Sequence, residues 1–171
     1  MIREIITYPN KLLRIKSKDV IKFDEELHTL LDDMYETMTH SNGVGLAAIQ
    51  VAVALNVLII NIPNEEDIQD KANLIEAINP VITYKDGVQI CKEGCLSVPE
   101  YYEEVKRAKD IVVEYFNRFG EKQVMQCEDF LAVAWQHEIE HLSGHLFIEK
   151  LSFIKRQKFE KEYKNRKKSK K

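Results

Sequence analysis

Apolar side chains recur at helical spacing from Asp24 to about Thr39, where Leu27, Leu30, Leu31, Met34, Tyr35 and Met38 fall on one face behind an N-cap aspartate. Ser41-Asn42-Gly43 ends that helix. The pattern then changes. Val57 to Ile62 is a near-continuous apolar run, short enough for a buried strand and closed by Pro63. Leu74 to Thr83 reads as a second strand interrupted by Asn79-Pro80, and Asp86-Gly87 reads as a hairpin turn. Ile111 to Phe116 and Glu121 to Cys127 are two further strands joined through Asn117 to Gly120. An apolar helix begins near Asp129, and a last helix, Phe153 to Lys167, carries only the thin stripe Phe159 and Tyr163. Strands bracketed by helices imply an α+β fold: antiparallel or mixed sheets around a central helix, with an N-terminal helix and a basic C-terminal one. No repeat or linker divides the chain, so residues 1–171 read as one domain, 155–171 being its basic helical tail.

Composition narrows the setting. A chain of 171 residues, 44% of them hydrophobic, can bury a sizeable core. It opens Met1-Ile2-Arg3-Glu4 without a leader pattern, and no apolar run approaches the ~20 residues that span a bilayer. Three cysteines at unpatterned spacing argue against a disulfide framework. The expectation is a cytoplasmic protein with no membrane partner and no specific DNA target. The net charge of −3 hides an asymmetry, because 155–171 holds ten Lys or Arg against two Glu, leaving −11 on the rest. Such a tail can contact a polyanion or simply be a solvated terminus.

The chemistry sits on the central helix. His137-Glu138-Ile139-Glu140-His141 places two imidazoles four residues apart, hence on one face, with a carboxylate beside them. A metal held there would lower the pKa of a bound water to ~7, and Glu138 could take its proton. Five-residue patterns of this kind also arise by chance in solvated helices. Here Leu131 to Trp135 and Leu142 make the helix apolar, and unpaired histidines and glutamates would be costly inside it. Gly144 is a natural helix stop.

A catalytic site needs a third protein ligand and an open position. His145 is nearest but follows Gly144, and it reads as a surface residue or a support to the ligands. Glu160 could serve in a peptidase with two His and one Glu, yet Lys158-Phe159-Glu160-Lys161-Glu162 looks like an ordinary solvated helix. Cys91 and Cys127 lie in strand-like stretches and read as small core residues. Cys95 lies in a loop, Glu93-Gly94-Cys95-Leu96-Ser97-Val98-Pro99, where glycine allows close approach and proline ends regular structure, and two histidines with one thiolate form a known catalytic set.

Three segments together carry a resemblance. Gly43-Val44-Gly45-Leu46-Ala47-Ala48-Ile49-Gln50, Glu93-Gly94-Cys95-Leu96-Ser97 and Gln136-His137-Glu138-Ile139-Glu140-His141 resemble the signature motifs of peptide deformylases, in their order and at compatible separations. Tyr8-Pro9 and Leu146-Phe147 extend the likeness over nearly the whole chain. The resemblance implies hydrolysis of the N-formyl group from the initiator methionine of nascent proteins, with release of formate. It implies Cys95, His137 and His141 as metal ligands, Glu138 as general base and acid towards a metal-bound water, and Gln50 with the Leu96 backbone N–H as oxyanion donors. Val44, Gly45 and Gly94 would offer backbone contacts to the peptide, and Phe130, Val133 and Ala134 would line the methionine pocket. Core packing is the competing role for each of these three. Fe2+ is the metal the family implies, with Zn2+, Ni2+ or Co2+ able to occupy the site. The basic tail then has a rationale as a weak, salt-sensitive contact with ribosomal RNA.

Two departures stand out. Glu140 occupies a position where many members have Asp, and Tyr102 appears where many carry an arginine that holds the substrate backbone. Arg107 matches a basic position of the family. Two other readings remain, a metallopeptidase using Glu160 and a non-catalytic RNA- or ribosome-binding module.

Overall fold

The computed structural model describes residues 1–170. Helix α1 (Glu25–His40) precedes strands β1 (Gly45–Ala47), β2 (Val57–Ile60), β3 (Ile75–Asp86), β4 (Gln89–Cys95), β5 (Val98–Arg107), β6 (Asp110–Phe116) and β7 (Lys122–Glu128). Helices α2 (Asp129–Leu142) and α3 (Phe153–Ser169) follow. A five-stranded sheet has the order β1-β2-β3-β6-β7, a two-stranded sheet pairs β4 with β5, and every pairing is antiparallel. The fold is α+β.

Strand β2 explains why its sequence is apolar without alternation. Val57 and Ile59 face α1, packing with Leu31, Met34 and Met38, while Leu58 and Ile60 face α2, packing with Trp135 and Ala134. A strand buried on both faces needs apolar residues at every position. Helix α1 keeps its expected cap, Asp24 Oδ1 accepting from Leu27 N at 3.2 Å. Gly144 terminates α2 as expected. Its φ is +81°, and a Cβ there would lie 2.5 Å from Arg14 O, so both the backbone and the packing demand glycine. No described helix is long and apolar enough to cross a membrane.

Three local expectations need correction. Asp86-Gly87 turns the chain but makes no hairpin: β3 pairs with β2 and β6, and Gly87 (φ +65°) passes the chain to the second sheet. Asp-Gly specifies a reversal, whereas the partner of each strand is a long-range choice. Asn79-Pro80 does not break β3 but makes a bulge between Ile78 and Val81. Asn79 is held there because its side chain accepts from Val20 N (2.8 Å) and donates to Val20 O (2.9 Å). The Glu93–Pro99 segment is not a free loop. It is the tight junction of β4 and β5, with Cys95 paired to Val98.

Candidate active site

Helix α2 is sandwiched in the core, and its inward turns carry His137, Glu138 and His141, all less than one-tenth exposed. The β4–β5 junction brings Cys95 to the same point. Cys95 Sγ lies 3.3 Å from His141 Nε2, and the two Nε2 atoms lie 3.2 Å apart. Ligand atoms of the three residues all fall within 4.8 Å of one another. Two imidazole nitrogens and a sulfur converging at this spacing is a donor set that fits a divalent transition metal, since lone pairs that share a proton can share a cation. Burial, then the neighbouring His137 and Arg107, hold the His141 pKa well below the ordinary range.

Glu93, whose role the sequence reading left unassigned, organises the other histidine. His137 Nδ1 donates to Glu93 Oε1 at 2.8 Å, which leaves Nε2 directed at the converging donors. Arg107 grips the same carboxylate from Nε (2.7 Å) and Nη2 (2.8 Å), and its Nη1 donates to Glu140 Oε1 at 2.6 Å. Lys150 Nζ completes the row 2.8 Å from Glu140 Oε1. Burial opposes the Glu93 charge, but Arg107 and His137 outweigh it and hold its pKa at about 2. A signal existed in the sequence: Tyr101, Glu103, Val105 and Arg107 alternate onto one face of β5, and an arginine on a buried face needs an acid.

Glu138 has no such partner. Its Oε2 is buried without a hydrogen bond among the described residues, and burial raises its pKa to about 7. Gly45 makes room for it, because a Cβ on that residue would sit 2.9 Å from Glu138 Cγ. Gln50 lies in a 3-10 helix (Ala48–Val51). Its Oε1 accepts from Ala47 N at 2.9 Å, and its Nε2 donates to Ser97 Oγ at 3.1 Å and faces Cys95 Sγ at 3.6 Å. The amide is therefore fixed with its nitrogen towards the metal-type donors. Ser97, fully buried, is a second supporting residue that the sequence did not single out.

These groups open onto a cavity of about 400 Å3. Val44, Gly45, Gln50, Gly94, Leu96, Phe130, Val133, Ala134 and Glu138 all border it, as do Cys95 and His137. Its apolar wall comes from α2 and its backbone-rich walls from β1 and the β4–β5 junction, a shape that can hold an extended peptide with one apolar side chain inserted. Tyr102 stands at the mouth with its ring against Gly94, where a Cβ would clash with ring atom Cε1 and lie 2.6 Å from Cδ1. The alternative ligands are elsewhere. His145 is exposed and pairs with Glu149 at 3.3 Å, while Glu160 is half-exposed on α3 and lies 3.9 Å from Arg156. Cys127 is core, and Cys91 lies half-buried away from the donor cluster.

A family model described as polypeptide deformylase matches residues 2–157. A peptide deformylase of Campylobacter jejuni is 61% identical over 170 residues, covering 99% of this chain and 97% of that protein. The crystal structure of a peptide deformylase from Legionella pneumophila superposes with a TM-score of 0.90 at 39% identity, covering 100% of this chain and 99% of the other. The peptide deformylase from Ehrlichia chaffeensis in complex with actinonin gives 0.87 at 37% identity, with 96% and 97% covered.

Proposed function

The chain belongs to the peptide deformylase family and removes the N-formyl group from nascent peptides, and we propose that Cys95, His137 and His141 hold the divalent metal this hydrolysis requires. The observation that carries the assignment is the convergence of their three ligand atoms within 4.8 Å beside the buried Glu138 carboxyl. A divalent ion held by two imidazoles and a thiolate supplies Lewis-acid polarisation and lowers the pKa of a water to ~7. Iron(II) is the proposed native ion, and the same donors suit Zn2+, Ni2+ or Co2+.

The protein's own groups perform the remaining work. Glu138, with a pKa of about 7, takes a proton from the attacking water and returns it to the leaving amine nitrogen. Water and the formamide group thereby become formate and a free amino terminus. Gln50 Nε2 donates to the oxygen that gains negative charge, assisted by the Leu96 backbone N–H. One such donor is worth ~10²–10³ in turnover, provided it is pre-aimed. Ala47 and Ser97 supply that aim by fixing both ends of the Gln50 amide.

Val44, Gly45 and Gly94 receive the peptide backbone, and Phe130, Val133 and Ala134 receive the methionine side chain. Residues 1–171 act as one cytoplasmic catalytic domain. The tail 155–171, of which Lys171 lies outside the described residues, offers the ribosome a weak electrostatic contact.

Formate release from formyl-Met-Ala-Ser tests the assignment, using protein purified anaerobically with its metal counted. Turnover is expected with about one metal per chain. Activity that survives Cys95→Ser with the metal still bound would refute the ligand set.

A further inference from the structure

A second cavity of about 240 Å3 lies between β5 and α3, and it shares a ridge with the catalytic one, since Val98, Pro99 and Glu100 border both. Its floor is aromatic. The Tyr8 ring meets Phe159 at 5.4 Å and Tyr163 at 5.0 Å between centroids, and Phe159 is itself locked against Tyr101 at 4.6 Å. These rings belong to one packed core cluster, so the cavity is a rigid depression. Its rim is mainly cationic, with Arg166, Lys167 and Lys170 of α3 set against Glu100 and Glu162. Arg166 reaches the ridge, its Nη1 donating to Pro99 O at 3.4 Å and lying 3.6 Å from the Glu100 carboxylate. Glu100 carries a φ of +61°, a left-handed conformation uncommon for a residue with a side chain, so the turn on the ridge is a specified feature.

We propose that this depression extends the substrate site, taking a large apolar side chain of the nascent peptide downstream of the formylated methionine. Acidic neighbours of that side chain are favoured by the α3 cations. The inference rests on the deformylase reading. A substrate whose formyl end is buried beside Glu138 must lead the rest of its chain out over the lip of the catalytic cavity. Pro99 and Glu100 form part of that lip, and directly beyond them lies an apolar depression big enough for an aromatic side chain. A free small ligand would have no need of this continuity, whereas a peptide does. The arrangement gives a chain-length and sequence preference that short substrates do not reveal.

The test compares kcat/KM for formyl-Met-Ala-Ser with that for longer peptides of Gly and Ser, in which one Phe is moved through positions four to eight. One register is expected to raise kcat/KM about tenfold over the all-Gly/Ser peptide, the worth of burying roughly half such a side chain. Asp beside that Phe should outperform Lys, and the difference should shrink in Lys167→Glu/Lys170→Glu. Thr7→Trp, which fills the depression from its exposed edge, should abolish the Phe gain and leave tripeptide kinetics unchanged. No register effect, or a gain that persists in Thr7→Trp, overturns the proposal. A tripeptide left intact by the wild-type protein overturns the deformylase reading itself, and the extension with it.

Discussion

His137 and Glu93, 44 residues apart in sequence, are joined by a 2.8 Å hydrogen bond in the protein interior, and Arg107 holds the far side of the same carboxylate. The imidazole is thereby fixed in one tautomer and one orientation. Glu93→Gln should weaken metal binding ~10–100-fold, measured by competition with a chelator. Glu93→Ala also leaves Arg107 with a buried, half-paired charge and should destabilise the fold by about 3–5 kcal/mol in urea titration. Unchanged metal affinity in Glu93→Gln would remove the orienting role.

Among the described residues, Glu138 has no side-chain hydrogen-bond partner that its removal would orphan. Glu138→Gln should therefore fold normally and retain its metal while formate release falls by ~10²–10⁴. Metal content and turnover measured on the same preparation separate this outcome from simple loss of the ion.

Gly94 and Tyr102 share a space too small for one more methyl group. Gly94→Ala should push the ring into the cavity mouth and raise KM several-fold with little change in kcat. Tyr102→Ala should relieve that penalty, so the double variant has a lower KM than Gly94→Ala alone. Additive effects across the double-mutant cycle would argue against the coupling.

Helix α3 has a buried face and a proposed ribosome-facing one, which calls for two kinds of variant. Phe159 is buried among the rings of Tyr8, Tyr101 and Tyr163, so Phe159→Ala should cost about 3–5 kcal/mol of stability. Lys161, Lys164 and Lys168 are exposed at helical spacing. Exchanging these three for Glu should leave tripeptide turnover intact while reducing co-sedimentation with ribosomes at low salt. Equal co-sedimentation of both proteins would dismiss the ribosome contact.

Cys127 should be unreactive in the folded protein. Burial pushes its thiol up to about 11, only partly offset by Trp135, so the thiolate is scarce at pH 8. Because the folded pKa exceeds the unfolded one, this group's contribution to stability is complete below pH 9 and declines as pH rises towards 11. Alkylation mapped by mass spectrometry at pH 8, with and without urea, should label Cys127 only after unfolding.

The residue pattern alone was enough for the elements whose signal is local. Helix α1 shows its stripe and cap, α2 carries its histidines four apart and its glycine stop, and β2 is apolar throughout because both faces are covered. The β6–β7 hairpin was also legible, as its turn residues join two strands that do pair. Strands β4 and β5 are not legible from apolar alternation, because their two-stranded sheet is rich in Glu and Lys and the buried face of β5 includes Glu103 and Arg107. The three motifs point to Cys95, His137 and His141 through resemblance, but periodicity gives only His137 and His141, which one helix turn brings together. Cys95 joins His141 across 46 residues, and Glu93, Arg107 and Glu140 meet only once the small sheet packs on α2. Hydrogen bonds within a helix turn depend on neighbours in sequence and leave a period to be read. Strand partners, buried ion pairs and the ridge between the two cavities depend on which surfaces meet, and only the packed tertiary structure decides that.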